Sequence, residues 1–197
     1  MKSVCVFCGS SSGENPAYRE TAEALGREIA GRGIELVYGG GDVGLMGVIA
    51  DATLAAGGRV IGFIPRALMQ REIAHKTLSE IHVTLSMHER KAAMEIRAEG
   101  FIALPGGFGT LDEFCEILTW AQLGIHQKPI GMLDIKGFFH HLLGFFDDAT
   151  AEGFIRPAHR KLIMDDTDPA RLLDRMDVWK PTIVPKWTDA PAAAPKP

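Results

Sequence analysis

The sequence predicts an α/β fold, with a Rossmann-like, doubly wound and mostly parallel sheet that carries helices on both faces. Short β-branched runs alternate with longer amphipathic segments along the chain, a pattern typical of a parallel sheet covered by helices. Several of the short runs are apolar throughout, as expected for strands that are buried on both sides. Right-handed crossover connections give a doubly wound sheet. In such sheets, ligands bind beyond the carboxyl ends of the strands.

The individual elements follow from these patterns and from their boundary signals. Asn15-Pro16 and Asp168-Pro169 place a capping residue before a proline, which is a common start of a helix. The predicted strands span residues 3–7, 34–38, 59–64, 80–85, 101–104, 130–133 and 162–164. The predicted helices span residues 16–30, 45–56, 87–98, 111–123, 138–151 and 169–175.

Length and composition narrow the class of protein. A chain of 197 residues is long enough for one core, so we expect residues 1–180 to form a single domain. Residues 181–197 are rich in Pro and Ala and are expected to be a flexible tail. The net charge of -4 and the pI near 6.0 lack the basic surplus of nucleic-acid-binding proteins. Without a signal peptide, a membrane span or a disulfide framework, we expect a cytoplasmic protein with no membrane or nucleic-acid partner.

A glycine-rich loop, Pro105-Gly-Gly-Phe-Gly-Thr110, joins a predicted buried strand to a predicted helix. Such a loop presents several backbone N–H groups to one point, and the helix dipole adds partial positive charge there. Glycine is required where a Cβ would block a phosphate or where the backbone angles exclude other residues. A plain tight turn is the alternative, but three glycines between a strand and a helix favour phosphate binding.

A second glycine-rich loop, Gly39-Gly-Gly-Asp-Val-Gly-Leu-Met-Gly47, follows another predicted strand. It matches neither a Walker A loop nor a G-x-G-x-x-G fingerprint. The glycine triplet can carry part of the ligand or let the following helix pack closely on the sheet, and the sequence leaves both interpretations open. Cys5-x-x-Cys8 lies along a predicted strand without a second pair, which favours core packing over a redox or zinc motif.

The helix after the phosphate loop carries Asp112, Glu113, Glu116 and Thr119 within an arc of about 120°. Because the rest of this helix is apolar, these side chains need partners or a solvated cleft. The alternative is a capping box, in which Thr110 caps the helix and Glu113 accepts from the Thr110 backbone N–H.

The segment Met87-His-Glu-Arg-Lys91 opens another predicted helix at the same edge of the sheet. Arg90 and Lys91 there are either a solvated face or charge-assisted contacts to a phosphate. This segment and Pro105-Gly-Gly-Phe-Gly-Thr-Leu-Asp-Glu113 resemble the LONELY GUY (LOG) family of cytokinin-activating phosphoribohydrolases, whose older members are labelled "possible lysine decarboxylase". Further similarity lies in Cys8-Gly-Ser-Ser-Ser12, in residues 38–47 and in residues 119–126. The resemblance covers about residues 1–180, and Asp112, where many members have Glu, is a mild departure.

The resemblance implies an N-glycosyl hydrolase that splits a cytokinin riboside or adenosine 5′-monophosphate into free base and ribose 5-phosphate. It assigns catalysis to Arg90 and Glu113, and it suggests a homodimer with the active site near the subunit interface. It implies no metal and no organic cofactor. The implied substrate and phosphate contacts are Glu72, Arg90, Lys91, Gly106, Gly107, Phe108, Gly109, Thr110, Leu111, Asp112 and Thr119. Further members of the site are expected at Ser10, Gly40, Gly41, Met87 and Glu116.

Cleavage of a ribosyl–base bond builds positive charge on the sugar, which glycosidases meet with carboxylates. We hypothesise that the glycine loop anchors the 5′-phosphate while Glu113 stabilises the cation or activates water. Arg90 would hold the substrate and orient Glu113, and Glu116 is a speculative proton donor to the leaving base. The alternatives are a non-catalytic nucleotide-binding or carrier module and a Rossmann dehydrogenase, which would need an acidic residue about 20 positions beyond a glycine fingerprint.

Overall fold

The computed structural model describes residues 1–69 and 74–181. Its strands are β1 (Ser3–Phe7), β2 (Glu35–Tyr38), β3 (Val60–Pro65), β4 (Glu80–Thr84), β5 (Phe101–Ala103), β6 (Ile130–Leu133) and β7 (Ile163–Asp166). Its α-helices are α1 (Pro16–Gly31), α2 (Gly44–Ala55), α3 (Met87–Arg97), α4 (Phe108–Gln122), α5 (His140–Ala151), α6 (Pro157–Arg160) and α7 (Pro169–Asp177). Residues 182–197, where the tail is predicted, and Glu72 lie outside the described residues.

The seven strands form one sheet in the order β4-β3-β2-β1-β5-β6-β7. Every neighbouring pair among these strands is parallel, which confirms the predicted Rossmann-like α/β fold. The winding direction reverses between β1 and β5, since successive strands run outward to one side from β1 and to the other from β5. Ligands bind at this kind of reversal, beyond the carboxyl ends of the two strands.

Two apolar clusters lie on the two faces of the sheet, and the side chains of the central strand β1 alternate between them. On β1, Val4 and Val6 belong to one cluster, and Cys5 and Phe7 belong to the other. Buried residues of α1, α2 and α7 complete the first cluster, whereas those of α3, α4 and α5 complete the second. Helices therefore cover both faces, as predicted.

Most predicted boundaries agree with the structure to within two residues. Asn15 and Asp168 cap α1 and α7 with their side chains, each directly before a proline, as predicted. The main difference is α4, which begins at Phe108 and not at residue 111, because Gly107 occupies the N-cap position. The four-residue helix α6 was not predicted, since a single turn is too short to show helical periodicity.

No helix in the described part of the chain combines the length and the apolar character that a membrane crossing requires.

Candidate active site

A cleft of about 710 Å³, open to solvent, lies beyond the carboxyl ends of β1 and β5. The loops after β1, β2 and β5 and the starts of α3 and α4 meet there. The cleft is therefore at the reversal point of the sheet, where the fold predicts a ligand. Its lining residues are Val6, Cys8, Gly9, Ser10, Gly39, Met46, Met87, Arg90, Gly107, Phe108, Gly109, Thr110, Asp112 and Glu113.

The N-terminus of α4 forms one wall of this cleft. The first intrahelical hydrogen bond runs from the Leu111 N–H to the Gly107 carbonyl at 3.1 Å, so the amides before Leu111 belong to the unpaired first turn of the helix. Among the residues that the structure describes, no side chain caps this end of α4. These amides and the helix dipole make this wall a suitable place for an anion.

The glycines of this loop differ in what requires them. A Cβ on Gly106 would collide with the Thr110 side chain and lie 2.8 Å from the Gly9 nitrogen, so Gly106 is required by close packing. By contrast, a Cβ on Gly107 or Gly109 would meet nothing within 4 Å, and neither residue has a positive φ. Packing within the chain therefore does not explain these two glycines, whereas a ligand that approaches the backbone does.

Arg90 and Glu113 form a buried ion pair that contributes to the lining of the cleft. The Arg90 Nη2 donates to Glu113 Oε1 at 3.3 Å, across 23 positions of sequence. The two residues are only 5% and 9% exposed. The ion pair places the Glu113 carboxyl group at the cleft, beside a positive charge. A carboxylate kept out of bulk water is suited to stabilising a developing cation.

The capping-box interpretation of Glu113 is wrong. Thr110 lies inside α4, one turn after the Gly107 N-cap, and Glu113 follows in the second turn with its carboxylate bound to Arg90. The error lay in the predicted start of the helix. Gly109 and Thr110 are typical of a loop, so the helix was expected to begin only at residue 111. With that start displaced by three residues, Thr110 is no longer available as a cap.

Lys91, which is expected as a phosphate contact, bridges α3 and α4 in this structure. Its Nζ lies 3.1 Å from Asp112 Oδ2 and 3.1 Å from Glu116 Oε2. Burial alone would lower the pKa of Lys91, but hydrogen bonds to Glu116 and Asp112 outweigh it and raise that pKa. Glu116 does not belong to the lining of the cleft, which argues against it as the acid for the leaving base.

The structure brings together part of the predicted site. Asp112 and Ser10 line the cleft with the Arg90–Glu113 pair, as do Met87 and residues 107–110. Gly106 lines an adjoining cavity of about 620 Å³ that shares Gly9, Ser10 and Gly107 with the cleft. Thr119 lies in a different cavity, of about 550 Å³, between α4, α5 and α6. The predicted site residues that are not part of the cleft lining are Gly40, Gly41, Lys91, Gly106, Leu111, Glu116 and Thr119.

The cleft is also lined by five residues that were not among the predicted site residues. They are Val6, Cys8, Gly9, Gly39 and Met46. Burial, followed by the nearby Glu113 carboxylate, raises the pKa of the Cys8 thiol well above its usual value, so this thiol stays protonated. The glycine triplet and the Cys-x-x-Cys spacing were visible in the sequence, but neither indicates which member faces the cleft. Cys5 and Cys8 are both buried, in agreement with the prediction of core packing.

Among the described residues, Asp42, Asp51 and His75 place their donor atoms within 4.8 Å of one another, close enough to hold a metal ion. The Thr77 N–H donates to His75 Nδ1 at 3.3 Å, which leaves the ring proton on Nε2. This Nε2 lies 3.1 Å from Asp51 Oδ1 and donates to it. The group is therefore arranged as a hydrogen-bonded anchor, and none of its members lines the cleft.

Comparisons with known proteins show the family of this chain. The family model described as "Possible lysine decarboxylase" matches residues 46–176. Cytokinin riboside 5′-monophosphate phosphoribohydrolase LOG7 of Arabidopsis thaliana is 49% identical over 181 residues, covering 92% of this chain and 83% of the relative. The chain belongs to the LONELY GUY family. Another LONELY GUY relative, LOG1 of the same plant, is 48% identical and covers 92% of this chain and 85% of its own.

Solved structures extend the likeness of the fold. The molybdenum cofactor carrier protein of Chlamydomonas reinhardtii superposes with a TM-score of 0.67 at 20% identity, covering 89% of this chain and 96% of that one. The molybdenum cofactor binding protein of Rippkaea orientalis gives a TM-score of 0.68 at 21% identity, over 90% and 96% of the two chains. At this identity the likeness shows that the LONELY GUY chain shares their fold and nothing further.

Proposed function

We propose that this protein hydrolyses the N-glycosidic bond of a purine nucleoside 5′-monophosphate and releases the free base and ribose 5-phosphate. The relatives that share about half of its sequence carry the name of this activity. The observation that carries the proposal is the buried Arg90–Glu113 pair beside an uncapped helix N-terminus in one cleft. One part suits a phosphate, and the other suits the cation that forms when the base leaves.

The N-terminus of α4 holds the 5′-phosphate through the backbone amides of residues 108–110. Fixing the phosphate there places the ribose within reach of Glu113, one helical turn further along α4. Binding energy from the phosphate is then used to orient a bond that lies several atoms away. Contacts from Gly107, Gly109 and Ser10, which line the same cleft, complete this subsite.

Glu113 acts on the sugar. As the bond between the anomeric carbon and the base nitrogen breaks, the electron pair leaves with the base and positive charge develops on the ribose. The Glu113 carboxylate stabilises this charge or takes a proton from the water that attacks the anomeric carbon. Arg90 fixes the position of the carboxylate, and an always-charged guanidinium is a poor proton donor.

Met87 and Phe108 provide a platform for the base at the mouth of the cleft. Both residues are apolar and yet exposed, Phe108 to 93% and Met87 to 39%. A planar purine covers such side chains with a favourable loss of apolar surface. Glu72, Lys91, Leu111, Asp112 and Thr119 remain proposed substrate contacts on the strength of the family resemblance.

A non-catalytic carrier is the second candidate function. The glycine loops alone would serve it, but simple binding of a nucleotide gives no reason to bury a carboxylate beside the anion site. The Arg90–Glu113 pair therefore favours the enzyme.

Purified protein incubated with AMP tests the proposal directly, with free adenine measured by chromatography. We expect Glu113→Gln to lower kcat by about 10²-fold or more, because the amide keeps the shape of the side chain but loses its charge. Glu152→Gln, at the exposed end of α5, is the matched control and should keep full activity. A Glu113→Gln enzyme as fast as the parent would contradict the catalytic role.

The choice of substrate needs its own comparison. AMP, N6-isopentenyladenosine monophosphate and adenosine, assayed side by side, separate the contribution of the N6 group from that of the phosphate. We expect adenosine to lose turnover as well as affinity, since the phosphate fixes the ribose over Glu113. Adenosine turned over as fast as AMP would contradict the phosphate subsite.

We also propose that the protein works as a homodimer in the cytoplasm, as one domain over residues 1–180, without nucleic-acid or membrane partners. The edge strand β4 and the residues after it expose Ile81, Val83 and Leu85 at 41%, 45% and 80%. Exposed apolar side chains on an edge strand favour association with a second copy of the chain. The three free cysteines are consistent with a reducing compartment.

A further inference from the structure

We infer that Gly39 is a positioning residue that seats the guanidinium of Arg90 and, through it, the carboxylate of Glu113. The catalytic part of this inference rests on the proposed function. The backbone of Gly39 faces the end of the Arg90 side chain. A Cβ at position 39 would collide with Arg90 Nη2 and lie 3.1 Å from Arg90 Cζ. The same Nη2 donates to Glu113, so the nitrogen that the glycine accommodates is the one that holds the carboxylate.

Backbone contacts to other segments hold the loop that carries Gly39. The Gly40 carbonyl accepts from the His75 N–H at 3.1 Å, and Gly41 pairs with Ala74 in an isolated bridge. Gly40 also packs on β3 so closely that a Cβ on Gly62 would lie 2.9 Å from the Gly40 Cα. These contacts restrain the loop, so a shift of its backbone would have to break them.

Additional contacts hold His75, the residue that bonds to the Gly40 carbonyl. His75 is 6% exposed and donates from Nε2 to Asp51 of α2, and its Nε2 also lies 3.6 Å from Asp42 Oδ1. These contacts connect the loop after β2 to α2. A side chain added at position 39 must consequently displace the guanidinium and not the loop.

The conformation of Gly39 does not by itself demand glycine, because its φ is not positive. Alanine is thus compatible with the backbone, and the collision involves the flexible end of a long side chain. We expect the Gly39→Ala protein to fold while Arg90 Nη2 retreats by roughly 1 Å, a displacement that can lower the rate by about 10²-fold in an active site. This role is a third one for the first glycine of the triplet, beside the two interpretations that the sequence left open.

A double-mutant cycle tests the inference with Gly39→Ala, Arg90→Ala and the combined variant. Melting temperature and AMP hydrolysis are measured for each, and Gly31→Ala is the control, since a Cβ there meets nothing within 4 Å. In the parent background we expect Gly39→Ala to lower the melting temperature and to reduce kcat by about 10- to 100-fold. In the Arg90→Ala background the added methyl group enters vacated space, so it should lower neither quantity further.

Equal effects of Gly39→Ala in both backgrounds, or a Gly39→Ala enzyme with parental kcat and melting temperature, would overturn the inference. If Gly39→Ala alone fails to fold, the combined variant should fold again, and failure of both contradicts a collision specific to Arg90. The melting temperatures do not depend on substrate. A parent protein without hydrolase activity would therefore refute the proposed function while the cycle still decides whether Gly39 seats Arg90.

Discussion

Replacing Gly109 by alanine should strengthen the fold and weaken the enzyme. Gly109 lies in the first turn of α4, its φ is not positive, and a Cβ there meets nothing within 4 Å. Alanine in a helix is favoured over glycine by about 0.5–1 kcal/mol. In a chain of this length such a gain raises Tm by about 2–4 °C per kcal/mol.

The activity should change in the opposite direction. The new methyl group would occupy the space where the phosphate approaches the amides of residues 108–110. We therefore expect KM for AMP to rise by about 10-fold or more, which corresponds to a loss of about 1.4 kcal/mol of binding free energy. Gly144→Ala is the matched control. Gly144 lies inside α5, away from the cleft lining, and a Cβ there also meets nothing within 4 Å.

Thermal unfolding followed by circular dichroism and steady-state kinetics with AMP give both quantities. We expect Gly144→Ala to gain similar stability with an unchanged KM, whereas Gly109→Ala gains stability and loses affinity. The reasoning is refuted if Gly109→Ala binds AMP as well as the Gly144→Ala control does. Such a result would mean that the anion does not approach the N-terminus of α4.

Two further outcomes test other parts of the structure. Light scattering should give twice the 21.4 kDa chain mass. Leu85→Asp should shift the protein towards a monomer, because it places a charge on the exposed apolar surface near β4. A parent protein that is already monomeric contradicts the proposed dimer. Hydrogen bonds from Arg171 lower the pKa of Asp166 far below its ordinary value, so the stability from this carboxylate is present above about pH 4 and is lost as the pH falls below that value. Asp166→Asn should therefore lower Tm at pH 7 and reduce its decline below pH 4, and an unchanged pH profile of Tm would show that Asp166 contributes little.

Local patterns in the sequence were sufficient for the fold. Alternation of apolar runs with amphipathic segments predicted all seven strands, and the Asn15-Pro16 and Asp168-Pro169 pairs located two helix starts. These signals depend on neighbouring residues, because strand and helix periodicity and helix capping operate within a few positions. The glycine loop at residues 105–110 was likewise recognisable, since its strand and helix are adjacent in sequence.

The sequence by itself determined the architecture and located the glycine-rich loop at residues 105–110, and the family resemblance pointed to Arg90 and Glu113 as site residues. Only the tertiary structure decided that these two side chains pair, that Lys91 binds Asp112 and Glu116, and that Gly39 faces the guanidinium. Each of these contacts joins elements that lie many positions apart, so it depends on strand order and helix packing. Periodicity places a residue on one face of its own helix, but it does not determine which side chain of another element lies opposite.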